Sequence, residues 1–279
     1  MKLTILVDNN TLIDRYLLGE PGFSLYIEAG GRNILFDTGY SDAFLINARK
    51  LDIDLRRLDM VVISHGHLDH TWGLAPLIRL LTEAEIEGQK PMRPTLVAHP
   101  SALVPKTVKG NTSIGSLLTE AGLDSHFTLR IGREPAWLTN KLVFLGEIER
   151  VHDFERPEPL GRAGSCDTAS PDFLLDDTAL AYKGKEGLVI LTGCSHAGIC
   201  NIITQAQKIC EEDRIRDVVG GLHLLDPGKE RLEGTCNFFQ RLRPIEIHAC
   251  HCTDLRSKIA LAERTNLKEV GSGWSGRYN

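Results

Sequence analysis

No stretch of these 279 residues stays apolar for the roughly 18 positions that a membrane-spanning helix needs, so no segment is a candidate span. A broad basic field is missing too: 32 Lys and Arg stand against 37 Asp and Glu, for a net charge of −5. Nucleic acid is therefore not expected as the main partner, while a small anionic substrate held by a few local cations is permitted. Seven cysteines, an odd number without a repeating framework, do not make a disulfide scaffold and fit reduced thiols in a cytoplasm. The Gly-rich phosphate loops of P-loop and dinucleotide-binding proteins are absent, as is a Gly-x-Ser-x-Gly nucleophile elbow. The amino terminus, Met1-Lys2-Leu3-Thr4-Ile5-Leu6-Val7-Asp8, is too short in apolar residues for a signal peptide and reads as a first strand, so a soluble cytoplasmic protein is expected.

What the chain does have is Ser64-His65-Gly66-His67-Leu68-Asp69-His70, four metal-competent side chains in six positions, in a chain with only 10 His. Met60-Val61-Val62-Ile63 before it reads as a buried strand and residues 72–82 after it as a helix, which places the four on a strand-to-helix loop. In extended backbone alternate residues point the same way, so His65 and His67 suit one ion. Asp69 and His70, where the backbone turns, suit a second. Neutral imidazole and carboxylate are ligands for a divalent ion that keeps a position open. A buried histidine cluster with no ion would instead leave costly unpaired polar groups.

Strand-length apolar runs recur at 4–7, 23–27, 34–36, 60–63, 95–98, 142–145, 179–182, 188–191, 217–219 and 246–249, and helical patterns at 41–50, 72–82, 199–212, 229–242 and 255–264. Early strands follow one another and later ones alternate with helices. The fold class expected is α/β: two mixed sheets face to face with helices outside, as one domain over 1–279. The Pro-, Gly- and charge-rich stretch of about 82–172 reads as an inserted region, equally a cover on the site or a solvated excursion. Val61-Val62-Ile63-Ser64-His65 is echoed by Val189-Ile190-Leu191-Thr192-Gly193-Cys194-Ser195-His196, and sheets gather such strand ends into active sites.

Two ions in a hydrolytic site need more ligands than one loop offers, and His196 and His251, each after an apolar strand, are chosen to complete the set. His223 is placed toward substrate, as a general acid, ahead of a further-ligand or a structural role. His248 is read as structural, and His99, His126 and His152 as ordinary surface residues. Asp37 closes Ile34-Leu35-Phe36-Asp37-Thr38-Gly39 and either orients a ligand imidazole or caps its own turn. Asp176 and Asp177 read slightly more as a solvated loop than as part of the edge. Cys194, Cys250 and Cys252 raise the option of thiolate ligands or of nucleophilic chemistry, but a Cys194–His196 nucleophile pair leaves the first histidine loop without a purpose, so the expected nucleophile is metal-bound hydroxide.

The run Ser64–His70 with Phe36-Asp37-Thr38-Gly39 upstream resembles the metallo-β-lactamase superfamily over essentially the whole chain. Thr192-Gly193-Cys194-Ser195-His196-Ala197-Gly198-Ile199, Gly220-Gly221-Leu222-His223-Leu224 and His251-Cys252-Thr253 resemble its branch of dihydropterin ribofuranosylaminobenzene phosphate synthases of methanopterin biosynthesis. The resemblance implies an αββα sandwich with two divalent ions at one edge, zinc first and iron or manganese as alternatives. His65 and His67 would hold the first ion, Asp69 and His70 the second, with His251 as the terminal histidine and His196 at or near the bridging position. Many members carry an aspartate after the strand that here ends in Gly193-Cys194-Ser195-His196. The function expected is a binuclear-metal hydrolase of a small ester-like substrate, phosphorylated in one version, with Asp69 also orienting water. The alternatives are a pterin-transferring synthase that releases pyrophosphate, with Lys106 or Lys109 gripping phosphate oxygens, and a metal-bearing sensor without turnover.

Overall fold

Short runs of β-branched and aliphatic residues form the strands, and longer ones with apolar residues every three to four positions form the helices. The computed structural model describes residues 1–109, 112–156, 158–165 and 169–279. Its first part runs β1 (Lys2–Val7), β2 (Ser24–Ala29), β3 (Arg32–Phe36), α1 (Ala43–Lys50), β4 (Met60–Val62), α2 (Leu68–Thr71), α3 (Leu74–Ile86), β5 (Thr95–Ala98), β6 (Lys106–Val108), β7 (Thr112–Ser113), α4 (Glu120–Asp124), β8 (Thr128–Ile131), β9 (Ala136–Trp137) and β10 (Leu142–Phe144). The rest runs β11 (Arg162–Ala163), β12 (Ser170–Pro171), β13 (Ala179–Gly184), β14 (Gly187–Thr192), α5 (Ile199–Cys210), β15 (Ile215–Gly221), α6 (Lys229–Leu242), β16 (Glu246–Cys250), α7 (Leu255–Ala262) and β17 (Ser275–Arg277).

Two large mixed sheets carry the fold, ordered β17-β1-β2-β3-β4-β5-β8 and β16-β15-β14-β13-β10-β9. Their inner faces meet in one apolar layer, where Ile27, Phe36 and Val62 pack with Phe144, Leu180, Val189 and Val219. Strand alternation sends the neighbouring Val61 to the opposite face, under Phe44 of α1 and Leu74 and Leu77 of α3. The second sheet is covered likewise, by Ile199 and Ile203 of α5 and Phe239 of α6 over Ile190 and Val218. This is the expected αββα layering. β14 is buried along its whole length because both faces are covered, which is why it reads as an unbroken apolar run. Each such Leu, Ile or Phe contributes about 1.5–3 kcal/mol by burial.

The parallel strands β3 and β4 end in register in the first sheet, and β14, β15 and β16 in the second. The chain segments that follow these strands converge.

The expected insertion over about 82–172 is corrected. β5, β8, β9 and β10 lie inside that range and belong to the two large sheets. β5 and β10 are the apolar runs read at 95–98 and 142–145, while β8 and β9, four and two residues long with half-exposed patterns, are too short and too mixed to show as runs. The excursion reduces to a small sheet, β12-β11-β6-β7, set against α2. There Leu68 N donates to Ile114 O at 2.8 Å and Trp72 Nε1 to Gly115 O at 2.9 Å. Among the described residues, no helix is long and apolar enough to cross a membrane.

A buried polar triad closes the far end. Tyr278 Oη donates to Asp217 Oδ2 at 2.6 Å, and Asp217 Oδ1 lies 3.0 Å from His248 Nδ1. Replacing Asp217 by Ala strands both partners in the interior. Each stranded group costs about 1–3 kcal/mol, so we expect a loss of about 2–5 kcal/mol in urea denaturation, against about 1 kcal/mol for Tyr278→Phe.

Candidate metal centre

The loop after β4 is shaped by glycine and by a buried carboxylate. A side chain at Gly66 would meet the Ala102 carbonyl oxygen at 2.2 Å, so only glycine lets the strand end lie this close to the neighbouring backbone. Gly66 N donates to Asp176 Oδ2 at 2.8 Å. From the adjacent strand end, Asp37 accepts from Ser64 N at 2.7 Å and from Ser64 Oγ at 2.6 Å. Its Oδ2 also lies 2.7 Å from His70 Nδ1, which leaves His70 Nε2 turned inward. Asp37, Ser195, His223 and His251 all adopt left-handed backbone, with φ of 58°, 63°, 50° and 52°. Strain of this kind persists where surrounding structure over-determines it, and here it clusters at the strand ends that face one another.

Two donor groups form, and they share one residue. Donor atoms of Asp69, His70, Cys194 and His251 lie within 4.8 Å of one another, and so do those of His65, Cys194 and His196. Cys194 Sγ is 3.3 Å from His70 Nε2 and 3.1 Å from His251 Nε2, and those two nitrogens are 3.2 Å apart. Asp69 Oδ2 is 3.4 Å from His251 Nε2 and 3.6 Å from His70 Nε2. His67 joins the group of His65 and His196 by ring contact, 4.7 Å from His65 and 4.9 Å from His196 between centroids. His251 is aimed by the amino-terminal strand end: its N–H donates to Asp8 Oδ1 at 2.7 Å and its Nδ1 lies 3.0 Å from Asn9 Oδ1.

The electrostatics suit a cation. Burial pushes the His65 and His196 rings well below their ordinary value and His67 to about 4, so their nitrogens carry free lone pairs. Against burial, the charges of Asp69 and Asp37 raise His70 to about 9. Burial also opposes ionisation of Asp69, yet His70 and His251 hold its carboxyl well below the usual range. Burial, with Cys252 beside it, pushes the Cys194 thiol up. His67 Nε2 and His196 Nε2 are buried with no hydrogen-bond partner. Two orphaned imidazole nitrogens beside a thiol and a carboxylate fit the donor set of a divalent ion and have no hydrogen-bond partner among the described residues.

The structure thus brings His65, His67, Asp69, His70, His196, His251 and Asp37 to one place. His196 does not take the shared position expected for it; Cys194 does. The left-handed turn at Ser195 keeps the Cys194 sulfur between the two groups and swings His196 to the side of His65 and His67. His223 sits against His196, with ring centroids 4.1 Å apart, and its N–H donates to Cys252 Sγ at 3.2 Å.

Asp176 and Asp177 are buried rather than solvated, and Asp177 Oδ2 accepts from Ala197 N at 2.9 Å. His99 is buried against Glu147, not a surface residue. Lys106 is buried and its Nζ is taken up by Asp172 and Asp176 at 2.7 and 3.0 Å, which leaves it no free charge to grip a phosphate, while Lys109 is exposed. A cavity of about 860 Å³ opens over the site, lined by His67, Asp69, Cys194, His196, His223 and His251 among others.

Residues 17–116 match the family described as the metallo-β-lactamase superfamily. The chain is 30% identical, over 86% of its length and 83% of the relative's, to 7,8-dihydropterin-6-methyl-4-(β-D-ribofuranosyl)-aminobenzene-5'-phosphate synthase of Methanocaldococcus jannaschii. It superposes on Tm1679, a metal-dependent hydrolase of the β-lactamase superfamily, with a TM-score of 0.82 and 29% identity, covering 99% of this chain and 98% of that one. The metallo-β-lactamase fold protein YhfI from Bacillus subtilis shares the fold at a TM-score of 0.60 and 12% identity, covering 99% and 98%. With its histidine loop, its facing strand ends and a relative alike over most of both chains, this chain belongs to the metallo-β-lactamase superfamily.

Proposed function

We propose that this protein is a binuclear-metal hydrolase of a small anionic ester. The observation that carries the reading is the pair of donor groups joined at Cys194 on the floor of the large cavity. His65, His67 and His196 would hold one ion, Asp69, His70 and His251 the other, and Cys194 both. Zinc is the ion we propose for this mixture of imidazole, carboxylate and thiol, with iron or manganese as alternatives. When bound, the ions would supply Lewis acidity to water and to the substrate oxygen.

The chain's own residues do the rest. Asp37 fixes the His70 tautomer, Asp8 and Asn9 fix the direction of His251, and Asp69 accepts a hydrogen bond from the attacking water. His223, on the cavity wall, gives a proton to the departing oxygen. Full-length similarity to a metal-dependent hydrolase supports this reading.

A second reading is favoured by the archaeal synthase relative: transfer to an amine with release of pyrophosphate from the same site. Turnover in ¹⁸O-labelled water separates the two, since label in the product supports hydrolysis and amine-dependent pyrophosphate release supports transfer. Chelation is expected to abolish turnover and to lower the melting temperature by several degrees, because ligands that bind only the folded chain stabilise it. Metal analysis is expected to find close to two ions per chain. Fully active protein free of transition metal would end both readings.

A further inference from the structure

Behind His196 and His223 lies a second cavity, of about 490 Å³, whose wall includes Arg150, Phe173 and Arg231. The two histidines line the large cavity as well, so they stand between the two spaces. Arg150 Nη2 donates to the Phe173 and Leu174 carbonyls at 2.7 and 2.8 Å, which fixes its guanidinium. Its Nε, together with Nε and Nη2 of Arg231, is buried and meets no acceptor among the described residues. Burial lowers the proton affinity of Arg150 and the like charge of Arg231 adds to this, while Asp177, Asp176 and Glu147 oppose it. The carboxylates of this cavity, on Asp153, Glu158 and Glu230, sit at its exposed rim, and Asp153 is already paired with Arg156 at 3.1 Å. Arg231 lies in the first turn of α6, which follows Gly228 with no side-chain cap and whose leading N–H groups therefore lack partners within the helix.

We propose that this second cavity is a phosphoryl-binding subsite, in which Arg150 and Arg231 hold the phosphate of a small molecule whose reacting end lies over the cluster at Cys194. Two forked guanidinium groups and a helix start offer more donors than the two oxygens of a carboxylate can accept, whereas a phosphate has three free oxygens and up to two charges. The proposal rests on the functional reading above only for the place of the reacting end.

Inorganic phosphate titrated calorimetrically into the metal-loaded protein tests it, with Arg231→Met, Arg150→Gln and, as a distant exposed control, Arg79→Gln. We expect phosphate affinity to fall about ten- to a hundredfold in Arg231→Met and about tenfold in Arg150→Gln, with Arg79→Gln unchanged. The melting temperature of Arg231→Met should stay level or rise, because the variant removes buried donors that meet no acceptor among the described residues. A purely structural arginine would lower it.

Phosphate affinity equal to wild type in a folded Arg231→Met or Arg150→Gln overturns the proposal, as does the absence of phosphate binding by the wild type. If Arg231→Met does not fold, Arg150→Gln decides. Metal content and turnover of a phosphate-free ester by the wild type report separately on the hydrolase reading. Their failure beside arginine-dependent phosphate binding would remove that reading and leave the subsite.

Discussion

Replacing Cys194 by alanine is expected to lower metal affinity or turnover by more than about a hundredfold, beyond the roughly 10–100-fold cost of losing partners that only orient ligands. The sulfur is the one donor common to both groups, 3.1 Å from His251 Nε2 and 3.3 Å from His70 Nε2, so its loss opens both at once. Its placement is over-determined by the backbone. A side chain at Gly193 would meet Ser64 Oγ at 2.2 Å and Asp37 Oδ2 at 2.7 Å, which packs the loop after β14 directly on the loop after β4. Because burial holds the proton on Cys194 in the metal-free chain, metal uptake should release a proton there. That release, measured in weakly buffered solution, should shrink in Cys194→Ala. Cys194→Asp restores an acceptor that can face both groups, and more activity should survive in it than in Cys194→Ala. Two tightly bound ions and near-normal turnover in Cys194→Ala would refute the shared-ligand reading.

The histidine loop was legible because its meaning is local: four donors follow one strand, and alternation alone separates His65 and His67 from the pair that follows. The sandwich was legible for a similar reason, since strands such as β14, covered on both faces, must be apolar throughout. Cys194 was weighed as a thiolate or a nucleophile and set behind His196, because nothing in periodicity announces the left-handed turn at Ser195 that exchanges the positions of Cys194 and His196. The anchoring of His251 by Asp8 and Asn9 joins residues more than 240 positions apart, a pairing that only the closed sandwich creates. Short strands were lost for want of length: β17 spans three partly exposed residues, yet pairs Arg277 with Lys2 to form the sheet edge. Arg150 and Arg231 carried no signal at all, because lone arginines are ordinarily solvated and their confinement appears only in the fold.

Lys106 is where expectation and structure diverge most, and its replacement should have the largest effect on stability. A lysine in a charged, irregular stretch reads as a solvated or substrate-gripping cation, but its side chain is fully buried. Asp172 and Asp176 hold Nζ from two sides, and Asp176 passes its other oxygen to Gly66 N inside the histidine loop. The small sheet that carries Lys106 on β6 is thereby tied to the metal centre through one cation. Breaking a buried ion pair from one side leaves the remaining charge unbalanced, which costs about 3–5 kcal/mol. Lys106→Met keeps most of the stem volume and removes only the charge, so that range is the expected loss in equilibrium denaturation. Asp172→Asn in the same chain removes one of the two stranded carboxylates and should recover part of it, a coupling that a double-mutant cycle measures. Metal affinity should fall with stability in Lys106→Met, since Asp176 no longer has the cation that positions it against Gly66. A loss below about 1 kcal/mol, or single effects that simply add in the cycle, would show that the buried cation does not hold the loop.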